Sequence, residues 1–182
     1  MNAGKAHLVL VLAAFAGVVA SSATQAPSAD AAKPAHTHEA FSFVVSAPYA
    51  DVFPLFGAHE ERKWAVGFEP KFLHPFPAND QPGMVFTTMQ DDMPRMWVNT
   101  AFDAGTGHVQ YVYWIPDLMT ALIDIHVTRS VINETKVEVV YERTALHPEA
   151  NERVIRMAQA DANSGPRWAE MISGYLRSAN AK

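Results

Sequence analysis

In the stretch AFSFVVSAP, Phe41, Phe43 and Val45 alternate with Ser42, Val44 and Ser46, the two-residue period of a strand with one buried face, and Pro48 ends it. The period then changes. Across APYADVFPLFGAHEERKWA the apolar positions Val52, Phe53, Leu55, Phe56 and Trp64 suit short helical turns, with Pro48 at a helix start and Gly57 as a break between two pieces. From Phe68 onward the pattern is strand-like. GMVFTTMQ, RMWVNTAFD, HVQYVYWIP, ALIDIHVTRSVI and TKVEVVYERTAL are rich in Val, Ile, Tyr, Phe and Thr and are separated by turn residues such as DAGTG and NE. With PKFLHP and the first run they predict about seven strands. Connections this short favour antiparallel neighbours, so the sheet is expected to be a meander. Near the end Trp168, Met171, Ile172, Tyr175 and Leu176 fall at i, i+3, i+4, i+7 and i+8, which predicts an amphipathic helix. Pro166 fits its first turn, with a shorter helix before it. No segment repeats another, and the order of elements predicts a single α+β domain, as a length of 182 residues allows.

Composition adds an address. The segment 1–26 has a short start with Lys5, an apolar run from Leu8 to Ala20, and small residues suited to cleavage near Ala23 or Ala26. It reads as a secretory signal peptide. The run is shorter than the ~20 residues that a spanning helix needs, so no stable membrane insertion is expected after cleavage. Residues 27–39, rich in Pro, Ala and small polar side chains, read as a flexible linker, residues 40–178 as the folded domain and 179–182 as a tail. The expected location is the periplasm, or the medium where there is no outer membrane. The formal charge of −5 becomes one unit more negative when Lys5 leaves with the leader. No Lys/Arg cluster offers a phosphate-binding face, which argues against a nucleic-acid partner. Cysteine is absent, which excludes disulfides, thiolate metal sites and a cysteine nucleophile.

The strings FSFVVSAPYADVFPLFGAHEERKWAVGFEPKFLHP, GMVFTT, VQYVYWIPD and TKVEVVYERTAL, with GYL near the end, carry a more specific signal. Over about Phe41 to Leu176 the chain resembles the START/Bet v 1-like (SRPBCC) superfamily, in particular the bacterial polyketide cyclase/dehydrase-like proteins. The resemblance implies a helix-grip fold, in which a seven-stranded curved antiparallel sheet wraps a C-terminal helix, with two short helices after the first strand. It also implies a cavity between sheet and helix suited to a small hydrophobic or amphipathic molecule. Its wall is expected to include Phe86, Trp97, Tyr111 and Tyr113 from the strands and Trp168, Ile172 and Tyr175 from the helix. One departure stands out: ADANSGPR puts a Gly-Pro pair where the resemblance implies a longer continuous helix.

Three clusters bear chemistry. HEERKWAVGFEP mixes acid, base, imidazole and indole; as the second short helix and the turn after it, it places Trp64 and Phe68 inward and Glu60, Glu61, Arg62 and Lys63 in water. The alternative puts Glu60 or His59 at the cavity entrance as an acid, a base or a clamp. In ALIDIHVTRS, Asp124 and His126 share one strand face and could tune a general base, but Ala121, Ile123, Ile125 and Val127 form the apolar phase, which sends Asp124, His126 and Thr128 to solvent. His36 and His38 invite a metal, yet a flexible linker offers no preformed geometry and no helix carries His-x-x-x-His or Glu-x-x-His spacing, so neither metal nor cofactor is expected. No Gly-x-Ser-x-Gly elbow or P-loop is present, and Gly105-Thr106-Gly107 belongs to a hairpin. No convergent set of polar groups can be placed in the cavity. A ligand-binding module is therefore the leading expectation, with a cyclase/aromatase-like enzyme or a closed-core interaction domain as alternatives.

Overall fold

The computed structural model describes residues 33–181; the expected leader and the first part of the linker lie outside the described residues. Strands β1 (His36–Val45), β2 (Lys71–His74), β3 (Val85–Gln90), β4 (Met93–Asp103), β5 (His108–Ile115), β6 (Met119–Arg129) and β7 (Thr135–Ala145) build one sheet in the order β1-β7-β6-β5-β4-β3-β2. All neighbours are antiparallel. The meander runs from β2 to β7, and β1 returns to pair with β7, so β1 and β2 are the two edges. Alternation sorts the two faces as the sequence implies: Val109, Tyr111, Tyr113 and Ile115 of β5 are buried, as are Ala121, Ile123, Ile125 and Val127 of β6. This is the seven-stranded antiparallel sheet that the pattern predicts, in the helix-grip form that the resemblance implies.

Between β1 and β2 lie α1 (Tyr49–Val52), a 3₁₀ turn (Phe53–Phe56) and α2 (Ala58–Glu61). None is long enough to be stable alone, and each is held by what it buries, chiefly Val52, Phe53, Leu55 and Phe56. After β7 come α3 (Asn151–Asp161) and α4 (Gly165–Asn180), which pack on β1. Pro166 sits in the first turn of α4, where its missing N–H leaves no intrahelical bond unmade. The Gly-Pro pair thus divides what would be one long helix into two. No helix among the described residues is long and apolar enough to cross a membrane.

Two expected boundaries move. The first strand begins at His36, four residues before Ala40, because the backbone from His36 to Glu39 already pairs with Tyr141 to Thr144 of β7. The Asn151 side chain secures the approach, accepting from the Ala35 N–H at 2.6 Å and donating to the Lys33 carbonyl at 2.9 Å. His36 and His38 are therefore strand residues, the first beside the Thr144 hydroxyl and the second 3.5 Å from Glu142. At the other end α4 runs to Asn180, two residues into the expected tail.

The hairpins have local causes. Asp91 and Asp92 take left-handed φ values of 52° and 57°, as a two-residue turn between β3 and β4 requires. Between β4 and β5, Asp103 accepts from the Gly105 N–H and the Thr106 hydroxyl, and Gly107 follows at φ +75°. A Cβ there would lie 2.0 Å from the Val127 carbonyl oxygen, so this position takes glycine alone.

Candidate functional site: a polar-centred aromatic cavity

The inward phase of β3 and β4 brings Phe86, Thr88, Arg95, Trp97 and Asn99 to one face, all buried. Phe86 and Trp97 stack at 5.6 Å and 8°, Tyr113 meets Trp97 at 4.2 Å, and the Trp97 indole donates to the Thr88 hydroxyl at 2.9 Å. Opposite them, Trp168 of α4 stands edge-on to Phe41 at 5.4 Å and to Trp64 at 5.6 Å. α4 packs on β1, and the aromatic rings stand between it and the central strands. What remains is a cavity of about 370 Å³, bounded by Trp97, Tyr113, Ile123, Tyr141 and Trp168, with Val66, Met89 and Arg167 toward its mouth. A recess of about 30 Å³ lies deeper, against Phe86, Tyr111 and Ile125.

Polar groups converge on this space, contrary to expectation. Glu61 is the first. It was expected in water, but it lies three residues after buried Ala58 and three before buried Trp64, on the inward face of that turn, and lines both the cavity and its recess. Enclosure pushes its carboxyl up to about 8, helped by the negative charge of Asp80. Asp80 itself, raised by burial and partly offset by donors from α2, accepts from the His59 N–H at 3.0 Å and so caps that short helix from a distant loop. The Tyr111 hydroxyl completes the anchorage, donating to the Phe56 carbonyl and accepting from the Ala58 N–H, each at 3.0 Å. Burial, with Glu61 and Asp80 nearby, raises its phenol above the ordinary range.

The second group sits where the helix divides. Arg143, on the inward phase of β7 and 4% exposed, is ion-paired with Asp161 in the last turn of α3 and lies 4.4 Å over the Tyr141 ring. Burial pushes the Asp161 carboxyl up to about 6 against the pull of Arg143. Burial also opposes the charge on Arg143, but Tyr113, Asp161 and Tyr141 more than offset it. Arg95 is the third. It is 8% exposed, lies 5.6 Å from the Tyr113 ring centroid, and leaves Nε without a partner. It takes part in no ion pair among the described residues.

Of the residues expected in the wall, Trp97, Tyr113 and Trp168 border the main cavity, and Phe86 and Tyr111 border the recess. Ile172 and Tyr175 border neither. Ile172 is fully buried in the core, and half-buried Tyr175 packs against that core, so the helix offers Met171 beside Trp168 instead. His59 and Glu60 also lie away from the cavity: Glu60 pairs with Lys63, and the His59 ring rests 5.9 Å from Phe72. Asp124 and His126 project from the outer face, as the apolar phase requires. The sequence did carry a signal for Glu61, Arg95 and Arg143: each is a charged residue in the apolar phase of its element.

No family model matches the chain, and no curated protein does. Solved structures do. Norcoclaurine synthase from Thalictrum flavum superposes with a TM-score of 0.59 at 11% identity, over 94% of this chain and 98% of that one. Ara h 8.0201 gives 0.55 at 14%, over 79% and 99%. An uncharacterised Bacillus thuringiensis protein gives 0.55 at 15%, over 77% and 99%. The chain therefore has the helix-grip fold of the Bet v 1-like proteins.

Proposed function

We propose that this protein binds one small amphipathic molecule in the cavity, with an apolar body held among Trp97, Tyr113 and Trp168 and an acidic group turned toward Arg95. One observation carries the reading: Arg95 is a buried cation in the wall of an aromatic cavity with no ion-pair partner among the described residues. Such a charge is costly unless paired. The nearby acids do not pair with it directly: Asp161 feels its charge but is ion-paired with Arg143, and the Glu61 carboxyl is pushed up to about 8 and so is mainly protonated at neutral pH. A carboxylate on the ligand would supply it by a charge-assisted bond, while apolar burial at about 25 cal/mol per Å² supplies the bulk of the affinity. The norcoclaurine synthase fold, solved in complex with dopamine and hydroxybenzaldehyde, holds small aromatic molecules and supports the choice of ligand size.

The test is calorimetric titration with 2-naphthylacetate and the matching neutral 2-naphthylethanol, alongside native mass spectrometry of protein purified without detergent. The expected result is binding of both, with the acid at least tenfold tighter, and removal of that preference alone by Arg95→Met. An apo mass with no binding of either probe would overturn the reading.

A second reading rests on Glu61. A carboxyl pushed up to about 8 at the wall of this aromatic cavity is suited to give or take a proton from a bound molecule. A cyclase-like enzyme would use it so, and Glu61→Gln would then abolish turnover while leaving binding intact. The charged start, apolar run and small residues of segment 1–26 support placing either role outside the cytoplasm. The mass of envelope-fraction protein, expected to begin just after Ala23 or Ala26, tests this.

A further inference from the structure

On the outer face of the sheet, away from the cavity, β5 and β6 bring together three residues that the sequence separates. His108 and His126 are direct cross-strand partners, and Asp124 lies two residues before His126 on the same face. The two imidazole rings stack at 4.9 Å and 7°, and both Nε2 atoms converge on one oxygen: His108 Nε2 is 2.9 Å and His126 Nε2 3.3 Å from Asp124 Oδ1.

We propose that His108, Asp124 and His126 form a binding site for one divalent first-row cation of the zinc class. The distances carry the argument. Ligands about 2.1 Å from a tetrahedral zinc are roughly 3.4 Å from one another. The two imidazole-to-carboxylate separations lie close to that value, and all three donor atoms fall within 4.8 Å of one another. A cation would replace the proton between His108 and the carboxylate and would bring in His126 from 3.3 Å, with little movement of any side chain.

The surroundings favour a prepared site. Gln110 donates to the other Asp124 oxygen at 3.0 Å, and the Thr100 hydroxyl donates to Gln110 at 2.8 Å, so the carboxylate is oriented from behind as outer-shell partners orient metal ligands. His126 is half exposed, which gives the ion access and leaves the fourth position to water. Two imidazoles and one carboxylate suit zinc, with copper and nickel as competitors, and do not suit calcium or magnesium.

The experiment is calorimetric titration of the full chain with zinc chloride in a non-coordinating buffer, repeated on Asp124→Asn, His126→Ala and the double variant His36→Ala/His38→Ala. Asp124→Asn keeps the shape of the side chain and its contact with Gln110, and circular dichroism verifies that each variant is folded. The expected result is one site of micromolar affinity, weakened at least tenfold by Asp124→Asn and by His126→Ala and unchanged by the β1 variant. Failure to bind zinc at 100 µM would overturn the proposal. So would binding that survives both cluster variants, or binding that the β1 variant removes.

Discussion

Arg143 of β7 and Asp161 of α3 form an ion pair across the gap between sheet and helix, at the point where the helical layer breaks before α4. Arg143 is almost fully buried and Asp161 is half-buried. Breaking such a pair from one side leaves a desolvated charge, so Asp161→Asn is expected to cost roughly 3 kcal/mol. Arg143→Met combined with Asp161→Asn should cost less than Asp161→Asn alone, since no buried charge then remains. Urea denaturation of wild type, Asp161→Asn and the double variant checks this. Equal losses in the two variants would show that the pair fastens the layers by attraction alone.

The Glu61 carboxyl gives stability a pH dependence of unusual sign. Its folded titration near 8 lies above the ordinary 4.5, so the folded state holds this proton more tightly than the unfolded state. The resulting stabilisation is complete below about pH 4.5 and is lost as pH rises through 8. One pH unit between folded and unfolded titration is worth about 1.4 kcal/mol, so the loss amounts to a few kcal/mol. Glu61→Gln should be nearly as stable as wild type at pH 5 and clearly more stable at pH 8.5. Denaturant midpoints at these two pH values measure it, and parallel curves would place the Glu61 carboxyl in water.

The fold was legible because β5 to β7 alternate cleanly and their turns are short; a two-residue period leaves one register that buries Tyr113, Ile123 and Val139 together. The site was less legible, since an apolar period identifies a buried face without saying whether the face meets protein or a cavity. Trp168 and Ile172 share the helix stripe, yet only Trp168 reaches the cavity, because the break at Gly165 sets where α4 begins. Charged residues in apolar phase were the better guide. Arg95 shares the buried phase of Trp97, Arg143 that of Tyr141, and Glu61 follows Ala58 at three residues. The His108 and His126 pair needed the β5 to β6 register, which no linear spacing contains.

Gly57 tests how closely α2 is held over the cavity. Its backbone is ordinary, φ −77° and ψ 139°, so any cost of a side chain comes from space and not from conformation. A Cβ would lie 2.2 Å from Asp80 Oδ2, the carboxylate that caps α2. Gly57→Ala must therefore displace the cap, at an expected cost of about 1–2 kcal/mol. Thermal unfolding reads the loss, and Asp80→Ala should reproduce most of it.

Tyr111→Phe isolates the hydroxyl that fastens this helical segment to β5. The ring stays among Phe86 and Trp97, but the Phe56 carbonyl loses its hydroxyl donor and the Ala58 N–H is left with Asp80 alone. One unsatisfied backbone group and one weakened one predict a loss of roughly 1–2 kcal/mol. Because the same groups position α2, amide exchange should quicken at Ala58 and over the following turn to Ala65 more than in β5. Equal acceleration in β5 would mean that the hydroxyl supports the sheet, and the Glu61 carboxyl would then owe its place at the cavity wall to Asp80 alone.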